Sequence, residues 1–221
     1  MPYYIVRNTF APKIRIEGCS GNLHSVAYRR CNMSCRFCHL PAREDMFCEY
    51  DAKSFSDTVD ALLKYGNGFK FTGGEPTLNP HLMRDLRIVR GKGGYVYLDT
   101  NGTNPEKVSE ILGEGLVDVV GVSLKGLTPH QAEAVSGVRS DVSWGRVMRT
   151  VALSEHADVP FILTYVVDSD TDLDGAFGAL GALLETYGGL CLKINNLQSN
   201  PHSQAEGLSP MDEGRLRACV S

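Results

Sequence analysis

Apolar runs alternate with amphipathic segments along most of this chain. Short runs that are apolar almost throughout are typical of strands covered on both faces, and they occur at 69–72, 95–100, 117–124, 160–167 and 190–195. Segments of helical periodicity separate them, at 54–65, 80–90, 105–115, 128–136, 143–157 and 172–187. In the first helix Val59, Leu62 and Leu63 share one face, and Ser54 is the predicted N-cap.

The same pattern predicts two more strands before these units. Segments 13–19 and 23–29 are predicted to form a hairpin around Gly21 and Asn22. About six strand–helix units then favour an α/β fold, a partial (β/α)6 TIM-like barrel with an N-terminal β-hairpin. We expect a single domain over 1–221, with a core at about 23–196 and a polar tail at about 197–221 that carries a short helix near 210–219.

Composition narrows the function classes. The chain has 221 residues, 43% of them hydrophobic, and a formal net charge of −4, so it lacks the basic surface of a nucleic-acid-binding protein. No segment approaches the ~20 apolar residues that span a bilayer, and MPYYIVRNTF has no apolar core of a signal peptide. We therefore expect a cytoplasmic protein with neither nucleic-acid nor membrane partners.

The run CNMSCRFC is the strongest chemical signal, because it places Cys31, Cys35 and Cys38 within eight residues. Three thiolates can hold three irons of a cubane cluster and leave the fourth iron open. A zinc site or a chance grouping is the alternative, although structural zinc usually needs two CxxC-like pairs. The remaining cysteines are scattered and resemble buried apolar residues more than ligands; these are Cys19, Cys48, Cys191 and Cys219.

Polar and glycine-rich residues follow most of the predicted strands. The cysteines follow the first strand, and the later strand ends carry 73–76, 99–102, Ser123 with Lys125, Thr164 with Tyr165, and 195–196. Chemistry in βα-barrel folds lies at the carboxyl ends of the strands. We therefore expect these residues to converge on one rim.

Two motifs carry a resemblance to a known family. CNMSCRFC matches the form CxxxCxΦC, with Phe37 as the aromatic residue, and GGEP stands at 73–76. On these motifs the chain resembles the radical S-adenosylmethionine (radical SAM) enzymes, which are oxidoreductases. The resemblance implies a [4Fe-4S] cluster on the three cysteines and S-adenosylmethionine on the open iron. Reductive cleavage would then give a 5′-deoxyadenosyl radical that abstracts hydrogen from a substrate.

The resemblance also implies roles for the residues that bind the cosubstrate. Phe37 would present its face near the adenine, with simple packing as the alternative. Gly73 and Gly74 would let the backbone approach closely, Glu75 would receive the amino group, and Pro76 would fix the exit of the turn.

Further binding residues are implied at the later strand ends. Asp99 and Lys125 would lie beside the methionine part, with Lys125 as a point charge for its carboxylate. The same implied set includes four other polar residues: Thr100, Asn101, Ser123 and Thr164.

A closer resemblance covers about 24–170 and is carried by LDTNGTNPEKVSEILGEGLVDVVGVSLKG. This stretch is similar to glycyl radical enzyme activases, especially those of anaerobic ribonucleotide reductase. The chain departs from them at Ser123, where they have Asp, and at Thr164, where they have Arg.

These departures leave more than one function open. A small-molecule radical enzyme, such as a 7-deazapurine synthase or a natural-product tailoring enzyme, is the alternative to an activase. A cluster-binding electron-transfer module is disfavoured, because it would have no use for GGEP. The expected partners are a flavodoxin- or ferredoxin-type electron donor and either a glycyl radical enzyme or a small-molecule substrate.

Overall fold

The structure, a computed structural model, describes residues 4–6, 23–38, 47–197 and 209–215. Strands and helices alternate along most of it. The strands are β1 Tyr4–Val6, β2 Leu23–Tyr28, β3 Phe47–Glu49, β4 Gly68–Gly73, β5 Tyr95–Thr100, β6 Val119–Leu124, β7 Phe161–Val167 and β8 Leu190–Asn196. The helices are α1 Ala52–Leu62, α2 Leu82–Gly91, α3 Pro105–Gly113, α4 Pro129–Ser136, α5 Ser140–Ala152 and α6 Leu173–Thr186.

Six strands form one sheet in the order β2-β4-β5-β6-β7-β8. The pairs β2 with β4, β4 with β5, and β7 with β8 are parallel. The order follows the chain, and at least one helix separates each pair of consecutive strands, which is typical of a series of strand–helix–strand units. The predicted α/β class is therefore confirmed: six strands alternate with helices in an open, partial TIM-like arrangement.

The described residues divide into two compact units. The first contains 4–6, 23–32, 47–100 and 104–121, and the second contains 33–38, 101–103, 122–197 and 209–215. Cys31 therefore belongs to the first unit, whereas Cys35 and Cys38 belong to the second.

Alternation along β4 explains how the first unit buries its apolar side chains. Phe69 and Phe71 are buried at 1% and 0% exposure, while Lys70 and Thr72, which alternate with them, are only partly covered. Successive strand residues point to opposite faces, so one face of β4 joins the core and the other carries polar groups. The polar face carries Lys70 and Thr72, which contact the predicted site residue Asp99.

Two predicted helix boundaries were wrong. Helix α1 begins at Ala52, because Asp51 rather than Ser54 is its N-cap. The Asp51 side chain accepts from the Ser54 amide over 2.7 Å, and Ser54 accepts from the Asp51 amide over 2.9 Å, which forms a reciprocal capping box. Helix α5 spans Ser140–Ala152 rather than 143–157, and a separate 3₁₀ turn, Leu153–Glu155, follows it.

Strand β1 pairs with β3 in an antiparallel arrangement that the sequence pattern did not predict. The predicted hairpin strand at 13–19, and with it Cys19, lies outside the described residues. So do Cys219 and the last part of the predicted tail helix, 216–219. Of the described part of that predicted helix, 213–215 is helical and 210–212 is not. No helix in the described part of the chain has the length and apolar character needed to cross a bilayer.

Candidate active site

The three cysteines follow β2 closely, and none of them forms a disulfide with another described cysteine. Cys31 is exposed, Cys38 is half-buried, and Cys35 is buried with 8% exposure. In the second unit the Cys38 amide donates to the Cys35 carbonyl over 3.1 Å, which closes a four-residue turn. This turn contains Phe37 and keeps the backbones of Cys35 and Cys38 within β-turn distance.

Among the residues that the structure describes, no three His, Cys, Asp or Glu side chains converge on a point where one metal ion would bind. The thiolates of a cubane cluster would not need to converge on one point, because each of them binds its own iron.

The loop around Cys35 is held by the end of α4. The Ser34 amide donates to the Ser136 carbonyl over 2.9 Å, and the Arg36 amide donates to the Val135 carbonyl over 3.0 Å. These two bonds lie on either side of Cys35 in the sequence. Consequently, the backbone of this cysteine is fixed from both directions.

The glycine turn after β4 packs against the chain segment that leads to Cys31. The Gly74 amide donates to the Tyr28 carbonyl over 2.5 Å, and the Glu75 amide donates to the Arg30 carbonyl over 2.6 Å. A Cβ on Gly74 would lie 2.1 Å from the Arg30 carbonyl oxygen, closer than any side chain tolerates. Gly73 has φ +103°, in the region that favours glycine. The close approach that these glycines permit is therefore to the protein's own backbone.

The Glu75 side chain is hydrogen-bonded to other residues of the first unit. The side chain is 1% exposed, and its Oε1 accepts from the Thr77 amide over 3.1 Å and from the Thr77 hydroxyl over 2.6 Å. The Thr100 hydroxyl also donates to this oxygen, over 2.6 Å. Pro76 is buried and opens the 3₁₀ turn Pro76–Leu78. Glu75 thus ties the turn after β4 to the end of β5.

Asp99, near the end of β5, is paired with a residue that the sequence analysis missed. Its Oδ2 lies 2.5 Å from Nζ of Lys70, and the Thr72 hydroxyl donates to the same oxygen over 3.3 Å. The Lys70 and Asp99 side chains are only 15% and 19% exposed, and the Lys70 ammonium lies 5.0 Å from the centre of the Tyr97 ring. The period-2 placement of Lys70 and Thr72 in an otherwise apolar strand is the signal that identifies this polar face.

In the second unit, Lys125 lies between two other predicted site residues. Its ammonium donates to the Ser123 hydroxyl over 2.7 Å and lies 5.5 Å from the centre of the Phe37 ring. A small cleft of about 10 Å³ has Lys125, Ser123, Asn101 and Met33 in its lining. Four of the predicted residues, Phe37, Asn101, Ser123 and Lys125, are thus brought together at or beside this cleft.

The segment after β5 is anchored by α5. Asn101 is buried, and its Oδ1 accepts from the Thr103 amide over 3.0 Å and from the Thr103 hydroxyl over 2.7 Å. The Thr150 hydroxyl donates to the Gly102 carbonyl over 2.7 Å, and Arg146 Nε donates to the Thr103 carbonyl over 2.6 Å. These contacts fix Asn101 at the cleft. Thr164 is buried on β7 at 9% exposure.

A buried polar network supports the end of β2 in the first unit. Asp85 is fully buried, and its Oδ2 accepts from the hydroxyls of Tyr28, over 2.9 Å, and Tyr50. Arg84 Nε donates to Oδ1 over 2.9 Å. Burial raises the pKa of Asp85, and burial together with the nearby carboxylate raises the pKa of Tyr28. Sequence reasoning missed this network because its members are up to 57 residues apart.

Comparison with known proteins gives one family match and partial relatives. The model of the radical SAM superfamily matches residues 25–175. A protein of Methanocaldococcus jannaschii named as a glycyl-radical enzyme activating enzyme is 35% identical over 101 residues, which are 43% of this chain and 40% of that protein. The 7-carboxy-7-deazaguanine synthase of Neisseria meningitidis serogroup B is 30% identical over 107 residues, 47% of this chain and 48% of that protein.

A solved structure shares the fold. The crystal structure of Streptococcus suis SuiB bound to S-adenosylmethionine matches with a TM-score of 0.68 at 17% identity, over 86% of this chain and 44% of SuiB. The chain thus spans about half the length, or less, of each of the three proteins that it resembles here.

Proposed function

This chain belongs to the radical SAM superfamily, and we propose that Cys31, Cys35 and Cys38 hold the [4Fe-4S] cluster with which the enzymes of that superfamily split S-adenosylmethionine. The expected superfamily, enzyme class and cofactor pair are confirmed at this level. When bound, the cluster supplies the electron that cleaves the cosubstrate to a 5′-deoxyadenosyl radical. The observation that carries the proposal is the position of the three motif cysteines, close together in the chain directly after the first strand of the sheet.

The residues of the second unit support binding of the cosubstrate. Lys125 is held by Ser123 and placed over Phe37, so its ammonium has a fixed position at the edge of the cleft. A fixed cation suits the carboxylate of the methionine part as a point charge. Asn101 presents a buried amide at the same cleft. We assign binding of the cosubstrate to this group of residues.

Glu75 and the two glycines have a supporting role in this proposal. The hydrogen bonds of the Glu75 side chain hold the turn after β4. The amides of this turn donate to the carbonyls of Tyr28 and Arg30 and so fix that segment. Cys31 follows Arg30 directly, so the turn fixes the backbone from which this cysteine projects. Asp99 remains a proposed binding residue, with Lys70 as its counter-ion.

For the hydrogen donor we propose a glycine of a glycyl radical enzyme, so that the chain acts as an activase. The similarity to the activating enzyme of M. jannaschii supports this role. The electron would come from a flavodoxin- or ferredoxin-type protein, and positive charge near the cluster would attract a donor with an acidic surface. Arg29, Arg30 and Arg36 are exposed next to the cysteines and suit such a donor. A reducing compartment such as the cytoplasm suits three cysteines that act as thiolates. We also propose that residues 1–221 form one domain.

A small-molecule radical reaction is the second candidate, and a specific observation favours it. The Lys70–Asp99 pair is largely shielded from solvent on the polar face of β4 and β5. A shielded ion pair is weak evidence of stabilisation, because desolvation offsets its attraction. The pair presents a charged donor and a charged acceptor on one face, which suits hydrogen bonding to a polar small-molecule substrate. The similarity to a 7-carboxy-7-deazaguanine synthase agrees with this alternative.

The chemistry is tested by anaerobic reconstitution. The wild-type chain, reduced with dithionite and supplied with S-adenosylmethionine, is expected to bind about four irons and to release 5′-deoxyadenosine. Cys35→Ser is expected to lose both properties. Cys191→Ser is the matched control, because Cys191 is also a free cysteine but lies outside the motif. A wild-type chain that carries zinc instead of iron would refute the proposal.

The hydrogen donor is tested by isotope transfer. A glycyl radical enzyme from the same organism is labelled with Cα-deuterated glycine and mixed with the reduced, loaded chain. Deuterium in the 5′-deoxyadenosine, read by mass spectrometry, is the result that an activase predicts. Deuterium that arrives only from a small-molecule extract of cells grown in heavy water would establish the second candidate instead.

A further inference from the structure

The backbone at the end of helix α4 is hydrogen-bonded to the loop that contains Cys35, residues 34–36. The last carbonyls of any helix lack partners within the helix and need other donors. In α4 the Val135 and Ser136 carbonyls obtain them from the amides of Arg36 and Ser34. Gly137 ends the helix in the left-handed conformation, with φ +67° and ψ 12°, and its amide donates to the Glu133 carbonyl. The loop therefore completes the C-terminal cap of α4.

The two hydrogen bonds between the loop and α4 flank Cys35 in the sequence. Ser34 and Arg36 are the neighbours of Cys35, and each gives its amide hydrogen to α4. Cys35 is also the most buried of the three motif cysteines. Any change in how α4 ends therefore moves the backbone on both sides of this cysteine at once.

The start of α4 packs against the segment that follows Lys125. Thr128 caps the helix by accepting from the Gln131 amide over 3.2 Å, and the Leu127 amide donates to the Gln131 side chain over 2.9 Å. A Cβ on Gly126 would lie 2.3 Å from the Ala132 amide nitrogen, so the segment that follows Lys125 packs directly on the helix. One helix thus connects Lys125 to the loop of Cys35.

We propose that α4 is the positioning element of the Cys35 thiolate, and that Gly137 is the positioning residue that lets the helix end where the loop needs it. This inference rests on the proposed function, because it takes Cys35 as a cluster ligand. Gly137 touches neither the cluster nor the substrate in this proposal. It acts through the Ser136 and Val135 carbonyls.

Gly137 can be changed without a steric clash. A Cβ built there would lie 3.6 Å from the Ser34 carbonyl oxygen and 3.7 Å from the Ser34 Cβ, both ordinary contacts. The effect of Gly137→Ala is therefore the strain of a left-handed alanine. Asparagine accepts this conformation more readily, so Gly137→Asn is the conservative variant.

The chain offers a matched control at Gly115. This glycine follows α3 with φ +63°, and a Cβ there would meet nothing within 4 Å. Gly115→Ala introduces the same backbone strain after a different helix, in the first unit. It therefore separates loss of global stability from loss of positioning.

The experiment uses the reconstituted full chain and compares cluster retention with stability. Both alanine variants are expected to lower the urea midpoint of the apo chain by similar amounts. Only Gly137→Ala is expected to lose its iron–sulfur absorbance faster under an iron chelator, by roughly five- to thirtyfold, the factor that matches the strain of one left-handed alanine. Its reduced-state paramagnetic resonance spectrum should change shape, and Gly137→Asn should restore both readouts.

The outcomes are separable. Equal rates of cluster loss in the two alanine variants, or no rescue by Gly137→Asn, would overturn the role of α4 and leave the proposed function intact. A wild-type chain that binds no cluster would overturn both. Should Gly137→Ala fail to fold, Thr128→Ala is the milder variant, with the α6 cap variant Asp172→Ala as its control. A rate of cluster loss in Thr128→Ala no higher than in Asp172→Ala would also overturn the inference.

Discussion

Thr100 donates its hydroxyl hydrogen to Oε1 of Glu75 over 2.6 Å, and this bond joins the end of β5 to the turn after β4. Both residues are almost fully buried, at 2% and 1% exposure. A carboxyl group in such a place depends on its donors, because water does not replace a lost partner. The motif glutamate is therefore part of the framework that holds the strand ends of the first unit.

Thr100→Val is expected to destabilise the chain without changing its shape. The substitution keeps the branched volume but removes one donor from the buried Glu75 carboxyl group, at a cost of about 1–3 kcal/mol. For a chain of this length that corresponds to a fall of roughly 2–12 °C in the melting temperature. Thr100→Ser keeps the hydroxyl and should recover most of the loss. A melting temperature for Thr100→Val equal to that of wild type would contradict the role of this bond.

Gly74→Ala is expected to disrupt the segment that precedes Cys31. Its Cβ would lie 2.1 Å from the Arg30 carbonyl oxygen and 2.5 Å from the Arg30 carbonyl carbon, both backbone atoms that move only with the strand. Overpacking of this kind costs about 1–3 kcal/mol or more. We expect a lower urea midpoint and reduced iron content after reconstitution.

Gly91→Ala is the matched control for this prediction. Gly91 is the last residue of α2, and a Cβ there would meet nothing within 4 Å. Alanine favours a helix by about 1 kcal/mol over glycine, so this variant should be as stable as wild type or slightly more stable. Similar losses in Gly74→Ala and Gly91→Ala would show that the close approach to Arg30 has no energetic importance.

Lys125→Gln is expected to weaken cosubstrate binding and leave the cluster in place. Loss of a hydrogen bond to a charged group costs about 1.5–3 kcal/mol, so KM for S-adenosylmethionine should rise roughly 10- to 150-fold. Iron content should match wild type, because Lys125 is not a proposed iron ligand. Lys53→Gln is the control, since Lys53 pairs with Asp57 on the surface at 83% exposure. An unchanged KM would remove Lys125 from the proposed site.

The sequence predicted the regular part of the fold well, because strand and helix periods are local. The boundaries of β5 and α4 agree with the prediction to within one residue. The start of α1 was harder, because Asp51 and Ser54 are both good capping residues and form one capping box together. Only the geometry determines which of the two is the N-cap.

The candidate site was predictable only where a motif named its residues. Phe37, Ser123 and Lys125 were predicted from strand ends and motif positions, and the structure places them together. Their binding roles stay predictions. Lys70 and Asp85 were missed, because neither lies in a motif and each has a partner on another element. Contacts between residues that are distant along the chain depend on strand register, which one sequence does not reveal.

The buried Asp85 network gives a prediction for the pH dependence of stability. Burial raises the pKa of Asp85 above the ordinary value of 3.8, so the folded chain holds this proton more tightly than the unfolded chain does. The resulting stabilisation is fully present below pH 3.8 and is lost as the pH rises through the folded-state pKa. Asp85→Asn cannot lose a proton and should lack this decline.

Urea unfolding of the apo chain across this pH range measures the effect directly. The stability of Asp85→Asn relative to wild type is expected to improve as the pH rises from 3.8 through the folded-state pKa, even if the variant is less stable throughout because the amide changes the bonds from Tyr28 and Arg84. Asp57→Asn, at an exposed position, corrects for the loss of one carboxyl group. A stability difference between Asp85→Asn and wild type that stays constant with pH would mean that burial does not govern the titration of Asp85.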